Sequence, residues 1–366
     1  MKNTFGTSVC VTLFGESHGD AVGAVIDGLA PGIDVDTEFI RTQLSRRRPS
    51  GKTDTPRVEN DNFQILSGVF NGKTTGTPLT IVIPNENTKS KDYNYGVARP
   101  SHADYTAYMK YHGYEDYRGG GHFSGRITAG LVASGAIALS ALKKLGINIG
   151  THILYCGGAY DRDFNNVEND ITELQNKTFP VLSEDSEGDI TNAILKAREA
   201  GDSIGGKIQT AIVGMPAGVG EPWFDSVEGI LSHALFSIGG IKGVEFGCGG
   251  GFADALGSQV NDAFVYENGS VVTKTNNNGG INGGITNGMP IVFTCSVKPT
   301  PSIVKEQQTV NFLTNENTTI EIKGRHDPAI IRRICVVVDS VCALAVCDLL
   351  AQRYGTDVLL KGFEKQ

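Results

Sequence analysis

The sequence predicts an α+β fold in which helices pack on antiparallel sheets. Three observations carry that prediction. Several segments alternate apolar and polar residues with a period of two, as strands buried on one face do. Strand-like and helix-like segments do not follow one another regularly, as a doubly wound parallel sheet requires. One long segment, 124–145, is apolar or small nearly all round (Leu131, Val132, Ala133, Ala136, Ile137, Ala138, Leu139), which marks a helix packed on more than one side.

The first strand is 9–14, where Val9, Val11 and Leu13 alternate with Cys10, Thr12 and Phe14. It stops in the turn Gly15-Glu16-Ser17-His18-Gly19. A histidine between residues this small can give or take a proton near neutral pH. The same five residues also suit a turn whose histidine simply faces solvent. A second strand is expected at 22–26. Asp36 is placed to cap a helix with Phe39, Ile40 and Leu44 on one face. That helix runs into Arg46, Arg47, Arg48, Pro49, Ser50, Gly51 and Lys52, followed by Arg57. Such a cluster either grips a polyanion, since guanidinium forks match phosphate and carboxylate oxygens, or is a solvated charge run.

Strands at 63–69 and 78–83 are expected, joined by the turn Asn71-Gly72. Arg99-Pro100-Ser101-His102-Ala103-Asp104 puts a second histidine at a helix start. Arg118-Gly119-Gly120-Gly121-His122-Phe123-Ser124-Gly125-Arg126 then runs into the apolar helix, which Gly146 can terminate. A glycine loop ahead of a helix N-terminus offers bare N–H groups to an anion, and equally serves a sharp bend. Strands at 147–154 and 207–213 flank a polar segment, 161–189, expected at the surface. Asp189 and Asp225 are placed to cap helices reaching Ala200 and Phe236. Glycine clusters follow at 239–251 and 279–284, with Gly239, Gly240 and Gly283 among them. A strand at 291–297 delivers Lys298-Pro299-Thr300-Pro301-Ser302. In Gly324-Arg325-His326-Asp327-Pro328, Asp327 and Pro328 have the order of an N-cap and first helical residue of a short helix. Asp339 is placed to cap the final helix, with Val341, Ala345, Leu349 and Leu350 facing inward.

The totals narrow the class. The chain has 366 residues, 47 of them glycine, and a net charge of -8. That charge and the lack of a long basic run argue against a general nucleic-acid binder. Seven cysteines without a CxxC pair argue against a zinc site or a disulfide framework, and fit reduced thiols in the cytoplasm. The N-terminus lacks the pattern of a signal peptide. The apolar run 129–142 is interrupted by Gly130, Ser134, Gly135 and Ser140, and reads as too short to cross a membrane. No linker and no repeat divides 1–366, which is expected to be one domain. The absence of a strand–GxxxxGK[ST]–helix and of a clean GxGxxG weakens nucleotide kinases and nicotinamide Rossmann enzymes.

Taken together, the motifs resemble one family: chorismate synthase. The resemblance rests on 15–19, 46–49, Arg99 with His102-Ala103-Asp104, 116–121, 279–284, Lys298-Pro299 and 324–328, in the family's order over nearly the whole chain. It implies a cytoplasmic lyase of the shikimate pathway that converts 5-enolpyruvylshikimate 3-phosphate to chorismate and phosphate by an anti-1,4-elimination. It implies a β-α-β sandwich with helices between antiparallel sheets, a homotetramer, reduced FMN (FMNH2) as cofactor, NADPH as a candidate reductant, and no metal, nucleic acid or membrane partner. By family position His18 is the proton donor to the departing phosphate, His102 manages the flavin's charge, and Asp327 assists removal of the other hydrogen. Arg46, Arg47, Arg48, Lys52 and Arg126 are expected on the substrate. His122, Phe123, Ser124, Gly239, Gly240, Gly283, Lys298, Pro299, Thr300, Pro301, Ser302 and Arg325 are expected on the flavin. Two departures stand out. Residues 122–128 read His-Phe-Ser-Gly-Arg-Ile-Thr where most members have Arg-Ser-Ser-Ala-Arg-Glu-Thr, and Ser101 replaces a usual glycine. Two rival readings are a phosphate-handling enzyme whose glycine loops hold a nucleotide, and a non-catalytic anion-binding protein.

Overall fold

A computed structural model describes residues 2–55, 60–86, 95–322 and 326–363. The chain opens with β1 (Thr4–Phe5), β2 (Cys10–Gly15) and β3 (Ala21–Asp27), then α1 (Thr37–Arg47). Asp36 caps α1 as expected, accepting from the N–H groups of Glu38 and Phe39, both at 3.0 Å. Strands β4 (Gln64–Ser67), β5 (Val69–Phe70), β6 (Lys73–Thr74) and β7 (Leu79–Pro84) follow. The turn Asn71-Gly72 closes the small β5–β6 hairpin instead of joining the two long strands. Both residues have positive φ (+50° and +73°), the geometry that Asn-Gly tolerates best. The first sheet has the order β1-β2-β3-β7-β4 and is antiparallel throughout.

Next come α2 (Asp104–Tyr111), α3 (Thr128–Lys144), β8 (Asn148–Cys156), β9 (Ala159–Tyr160), α4 (Val167–Asn176), α5 (Glu184–Glu199) and β10 (Gly206–Val213). After α6 (Val227–Phe236) and β11 (Ile241–Phe246) comes a short α7 (Gly257–Val260). Two hairpins follow, β12–β13 (Phe264–Glu267, Ser270–Thr273) and β14–β15 (Ile281–Asn282, Ile285–Thr286). Strand β16 (Ile291–Val297), the hairpin β17–β18 (Gln307–Asn311, Glu316–Ile320), α8 (Ile331–Tyr354) and α9 (Val358–Lys361) complete the chain. The second sheet has the order β11-β16-β10-β8-β9, again antiparallel.

The two sheets enclose a helical layer. α3 packs on β3 and β7, α8 packs on β8 and β10, and α3 and α8 pack on each other. Bare Cα atoms permit that spacing. A Cβ at Gly130 would lie 2.6 Å from the backbone of Gly23 in β3, and one at Gly135 would lie 2.3 Å from Ser340 in α8. The two glycines that interrupt the apolar run are therefore contact points of the helix. At 24 residues α8 is a longer apolar helix than the 17-residue α3. Both α3, with the turn before it, and α8 are long and apolar enough to cross a bilayer by length and composition. Here both serve as core, and the whole of the α8 window is buried inside the protein.

Several local expectations change. The segment 161–189 is largely exposed, as expected, but it forms α4 and the start of α5 and buries Ile171, Leu174, Val181 and Leu182. Asp189 lies inside α5, which begins after Ser183. Ser226, not Asp225, caps α6, its Oγ accepting from Gly229 N at 3.0 Å. Asp339 sits in the middle of the 24-residue α8. Another α8 acid, Asp348, gathers the N–H groups of Thr7, Ser8 and Val9 at 3.1, 2.7 and 2.9 Å. That contact fixes the start of β2 on the core helix, and β2 leads to His18.

Candidate functional site

The end of β2, the 117–125 turn, the start of α2, the stretch after β16 and the start of α8 surround a cavity of about 1760 Å³. Its apolar wall comes from the helical layer, including Leu131, Ala234, Ile334 and Val341. His18, His102, His122, His326, Asp327, Arg47, Arg99, Arg333, Lys242 and Lys298 bring polar groups to it.

Gly119 and Gly120 line the cavity, in a form the sequence did not suggest. Gly119, Gly120 and Gly121 all have positive φ (+61°, +84°, +53°) and wind a kinked 3-10 turn, four residues short of α3. They separate two histidines. A Cβ at Gly119 would lie 2.2 Å from His18 Cε1, and one at Gly120 would lie 3.0 Å from His102 Cε1. Any larger residue would displace a ring, so the glycines here admit imidazoles to one cavity. The turn is strapped to the end of β2: Ser17 N–H donates to Gly121 O at 3.1 Å, and His122 Nδ1 donates to Gly15 O at 2.8 Å.

His102 is the most thoroughly held group. Its Nδ1 lies 2.8 Å from Asp104 Oδ1. Arg99 clamps the same carboxylate, Nε on Oδ2 at 2.8 Å and Nη2 on Oδ1 at 2.7 Å, and Arg99 N–H adds a bond to Oδ2 at 2.9 Å. Burial alone would raise the Asp104 carboxyl, but the bonds from Arg99 and His102 outweigh it and hold it well below the usual carboxylate range. Ser101, just before the ring, adopts φ +59°, the left-handed conformation that the family's glycine takes without strain.

Asp327 does not cap a helix; α8 begins four residues later. Its Oδ1 accepts from Thr55 N–H at 3.0 Å and its Oδ2 pairs with Arg333 Nη1 at 2.5 Å. Beside it His326 faces the cavity with Nε2 buried and without a hydrogen-bond partner among the described residues. Burial and then the positive charge of Arg99 push His326 below its usual value, against the pull of Asp327. Thr300 Oγ1, also on the cavity, is likewise buried and without a partner among the described residues. Lys298 Nζ donates to Ser101 O at 2.7 Å. Burial and then the neighbouring charge of Lys242 push Lys298 down, so an anion between the two lysines would be welcome.

Of the expected cofactor residues, His122, Phe123, Ser124, Gly239, Gly240 and Lys298-Pro299-Thr300-Pro301-Ser302 line the cavity. Gly283 does not, because it sits in the β14–β15 turn. Arg325 and Arg57 lie outside the described residues. Of the expected substrate residues only Arg47 lines the cavity, and its Nη2 is on Asp61 at 2.9 Å. Arg126 is turned into the interior, where Nε donates to Asn85 at 2.8 Å, Nη2 to Pro84 O at 3.0 Å, and Nη1 pairs with Asp61. Two cations around Asp61 overcome the burial that would raise its carboxyl, and lower it. Arg46 reaches Asp339 in the helical layer at 3.3 Å, and burial still lifts that carboxyl to about 6. Arg48 and Lys52 point elsewhere: Arg48 Nη1 donates to Asn60 O at 3.2 Å, and Lys52 is exposed. The correction has one physical reason. A run of adjacent cations on a helix end points in several directions; Arg46, Arg47 and Arg126 pair with buried carboxylates, and Arg48 meets a backbone carbonyl. Sequence reasoning missed Asp104, His326, Arg333 and Lys242 as site residues. The first three lie in the motifs named above or within two turns of them, but only their partners give them a role.

Comparison with known proteins adds three findings. Residues 9–351 match the family model described as chorismate synthase. The chain is 45% identical over 353 residues to the chorismate synthase of Methanococcoides burtonii, covering 94% of this chain and 95% of that one. It is 46% identical over 354 residues to that of Lachnoclostridium phytofermentans, covering 95% of each. A solved structure titled as a crystal structure of chorismate synthase superposes with a TM-score of 0.76 at 27% identity, covering 96% of this chain and 94% of that one.

Proposed function

The chain belongs to the chorismate synthase family, and on that premise we propose how its cavity performs the reaction. The enzyme is a lyase that eliminates phosphate from 5-enolpyruvylshikimate 3-phosphate to give chorismate, a step of the shikimate pathway. One carbon–oxygen bond to phosphate and one carbon–hydrogen bond break, and a new diene forms.

His18 is our candidate for the proton that reaches the leaving phosphate. Its ring lies against Gly119, whose bare Cα leaves room for it beside the cavity. His102, held by Asp104, is our candidate for the second proton exchange, through Nε2. Asp327 is our candidate to assist removal of the other hydrogen as a proton: its oxygens take Thr55 N–H and Arg333, and carboxylate oxygens retain lone pairs beyond those two bonds. Arg47 is assigned to the anionic substrate, and Arg325 keeps the flavin role that its family position implies.

The family implies a flavin, and reduced FMN fits this cavity. Thr300 Oγ1 awaits a partner, Lys298 and Lys242 repel one another where a phosphate would relieve them, and Gly239-Gly240 leaves backbone bare against the apolar wall. We assign Lys298, Thr300 and Ser302 to its polar end. When bound, the flavin supplies transient electron donation that eases cleavage of the carbon–oxygen bond.

The observation that carries this reading is the Gly119-Gly120 pair, which holds His18 and His102 on one cavity with Asp327. The test is an anaerobic assay with the phosphorylated substrate and dithionite-reduced FMN. Stoichiometric phosphate and chorismate support it; no phosphate release overturns it. NADPH in place of dithionite tests it as the reductant. We read residues 1–366 as one domain, supported by a core that runs from Val9 to Leu359. We assign the enzyme to the cytoplasm, in keeping with seven unpaired cysteines. A homotetramer would cover apolar side chains such as Trp223 (86% exposed) and Phe224 (93%), and sedimentation checks it.

A further inference from the structure

We propose that Asp104 is a positioning residue for the reaction, fixing His102 in the tautomer that carries a proton on Nδ1 and leaves Nε2 as the ring's exchanging nitrogen. The proposal rests on the reading that His102 takes a role in proton transfer, and it follows from the hydrogen-bond pattern around one carboxylate.

Asp104 Oδ2 receives two donors, the backbone N–H and the Nε–H of Arg99, at 2.9 and 2.8 Å. Oδ1 receives Arg99 Nη2–H at 2.7 Å and faces His102 Nδ1 at 2.8 Å. An ionised carboxylate only accepts, so Nδ1 must be the donor. Arg99 Nη2, 3.1 Å from the same Nδ1, is a competing donor that would favour a bare Nδ1, but its contact is the longer one and the charged Asp104 oxygen at 2.8 Å is the stronger claim on that nitrogen. The shared Asp104 oxygen keeps these two donors compatible. The opposite side of the ring lies against bare Gly120, whose missing Cβ would be 3.0 Å from Cε1 and 3.4 Å from Nε2. The ring is therefore fixed at Nδ1 and accessible at Nε2. A proton taken up at Nε2 gives an imidazolium beside an anion, and a proton given from Nε2 returns the same neutral tautomer. The Nδ1 proton never leaves the ring, so the balance closes without another base.

Asp104→Asn makes the test sharp. The asparagine oxygen takes the Oδ2 place, because both donors there, Arg99 N–H and Nε–H, are fixed as donors, whereas at the Oδ1 place only Arg99 Nη2 is fixed and His102 Nδ1 can turn acceptor. Its amide NH2 then occupies the Oδ1 place and donates to His102 Nδ1, which forces the proton to Nε2. The experiment is 15N spectroscopy of full-length protein labelled at histidine, recorded where the imidazoles are neutral, with His102 assigned by its loss in His102→Gln. The wild type is expected to show a protonated Nδ1 and a bare Nε2, and Asp104→Asn the reverse. Turnover of Asp104→Asn should fall by about 10²-fold or more while KM for the substrate stays within about threefold, the pattern of a misplaced proton and not of lost binding. An unchanged tautomer or wild-type turnover in Asp104→Asn overturns the proposal. If that variant fails to fold, a wild-type His102 protonated at Nε2 overturns it by itself. A wild type that releases no phosphate under any reductant overturns the functional reading alone, since the tautomer is measured without substrate.

Discussion

Among the described residues, two histidine–aspartate pairs of almost equal length have opposite uses. His102 Nδ1 is 2.8 Å from Asp104, and His152 Nδ1 is 2.9 Å from Asp161. The second pair is entirely buried on the second sheet under the 161–182 segment. Its remaining ring nitrogen is 3.2 Å from Gln209 Oε1, and Asp161 also accepts from Leu182 and Ser183 N–H at 2.5 and 2.9 Å. Every polar atom there is tied to the fold. In the first pair the carboxylate is just as saturated, yet Nε2 of the ring is turned to a cavity behind a glycine. The difference teaches that a histidine–acid pair is not a site by its own geometry. The second nitrogen decides: bonded inward it fastens a segment, and turned to a cavity it can exchange a proton.

The sharpest way to break that comparison is to make the same substitution in both pairs. His102→Gln should lower turnover by about 10²–10⁴-fold with an unchanged melting midpoint. His152→Gln should keep turnover per folded molecule and cost about 3 kcal/mol of stability in urea titration, because it strands Asp161. A large loss of turnover in His152→Gln would erase the distinction. Next in size is acid stability. Burial opposes the Asp161 charge, but His152 and the two backbone N–H groups outweigh it and bring the carboxyl down to about 2 from the usual 3.8. Its contribution is therefore complete above 3.8 and is lost as the pH falls towards 2. Asp161→Asn should flatten the acid limb of stability against pH, whereas a limb as steep as in wild type would assign it to other carboxyls. The smallest effect concerns the turn that presents His102. Ser101→Gly removes the strain of a left-handed serine and should raise stability by about 0.5–1 kcal/mol, net of the glycine's greater unfolded freedom, with turnover retained. Destabilisation would show that the serine side chain holds the turn.

The features of the fold legible in the sequence are those governed by near neighbours. Alternation found β2, β3 and β16, and Asp36 announced α1 through a bond spanning three residues. The burial of Cys335, Cys342 and Cys347 in α8 likewise follows from an apolar helix. His18 and His102 stood out because each sits among small residues in a turn. The caps assigned to Asp327 and Asp339 failed for a clear reason. A local rule sees an acid before a helix-like run, while the fold offers each acid a cation: Arg333 for Asp327, and Arg46, 293 residues away, for Asp339.

By itself the sequence determined the class of fold, the order of its main strands and helices, the family and the two histidines, since period, capping and motif order are properties of neighbouring residues. Only the tertiary structure decided that Arg46 and Arg126 serve the interior, that Gly119 and Gly120 stand between a pair of imidazoles, and that His102 rather than His152 faces a cavity. Those outcomes depend on which face of one element meets another, and charge pairing and burial act across that meeting without leaving any pattern along the chain.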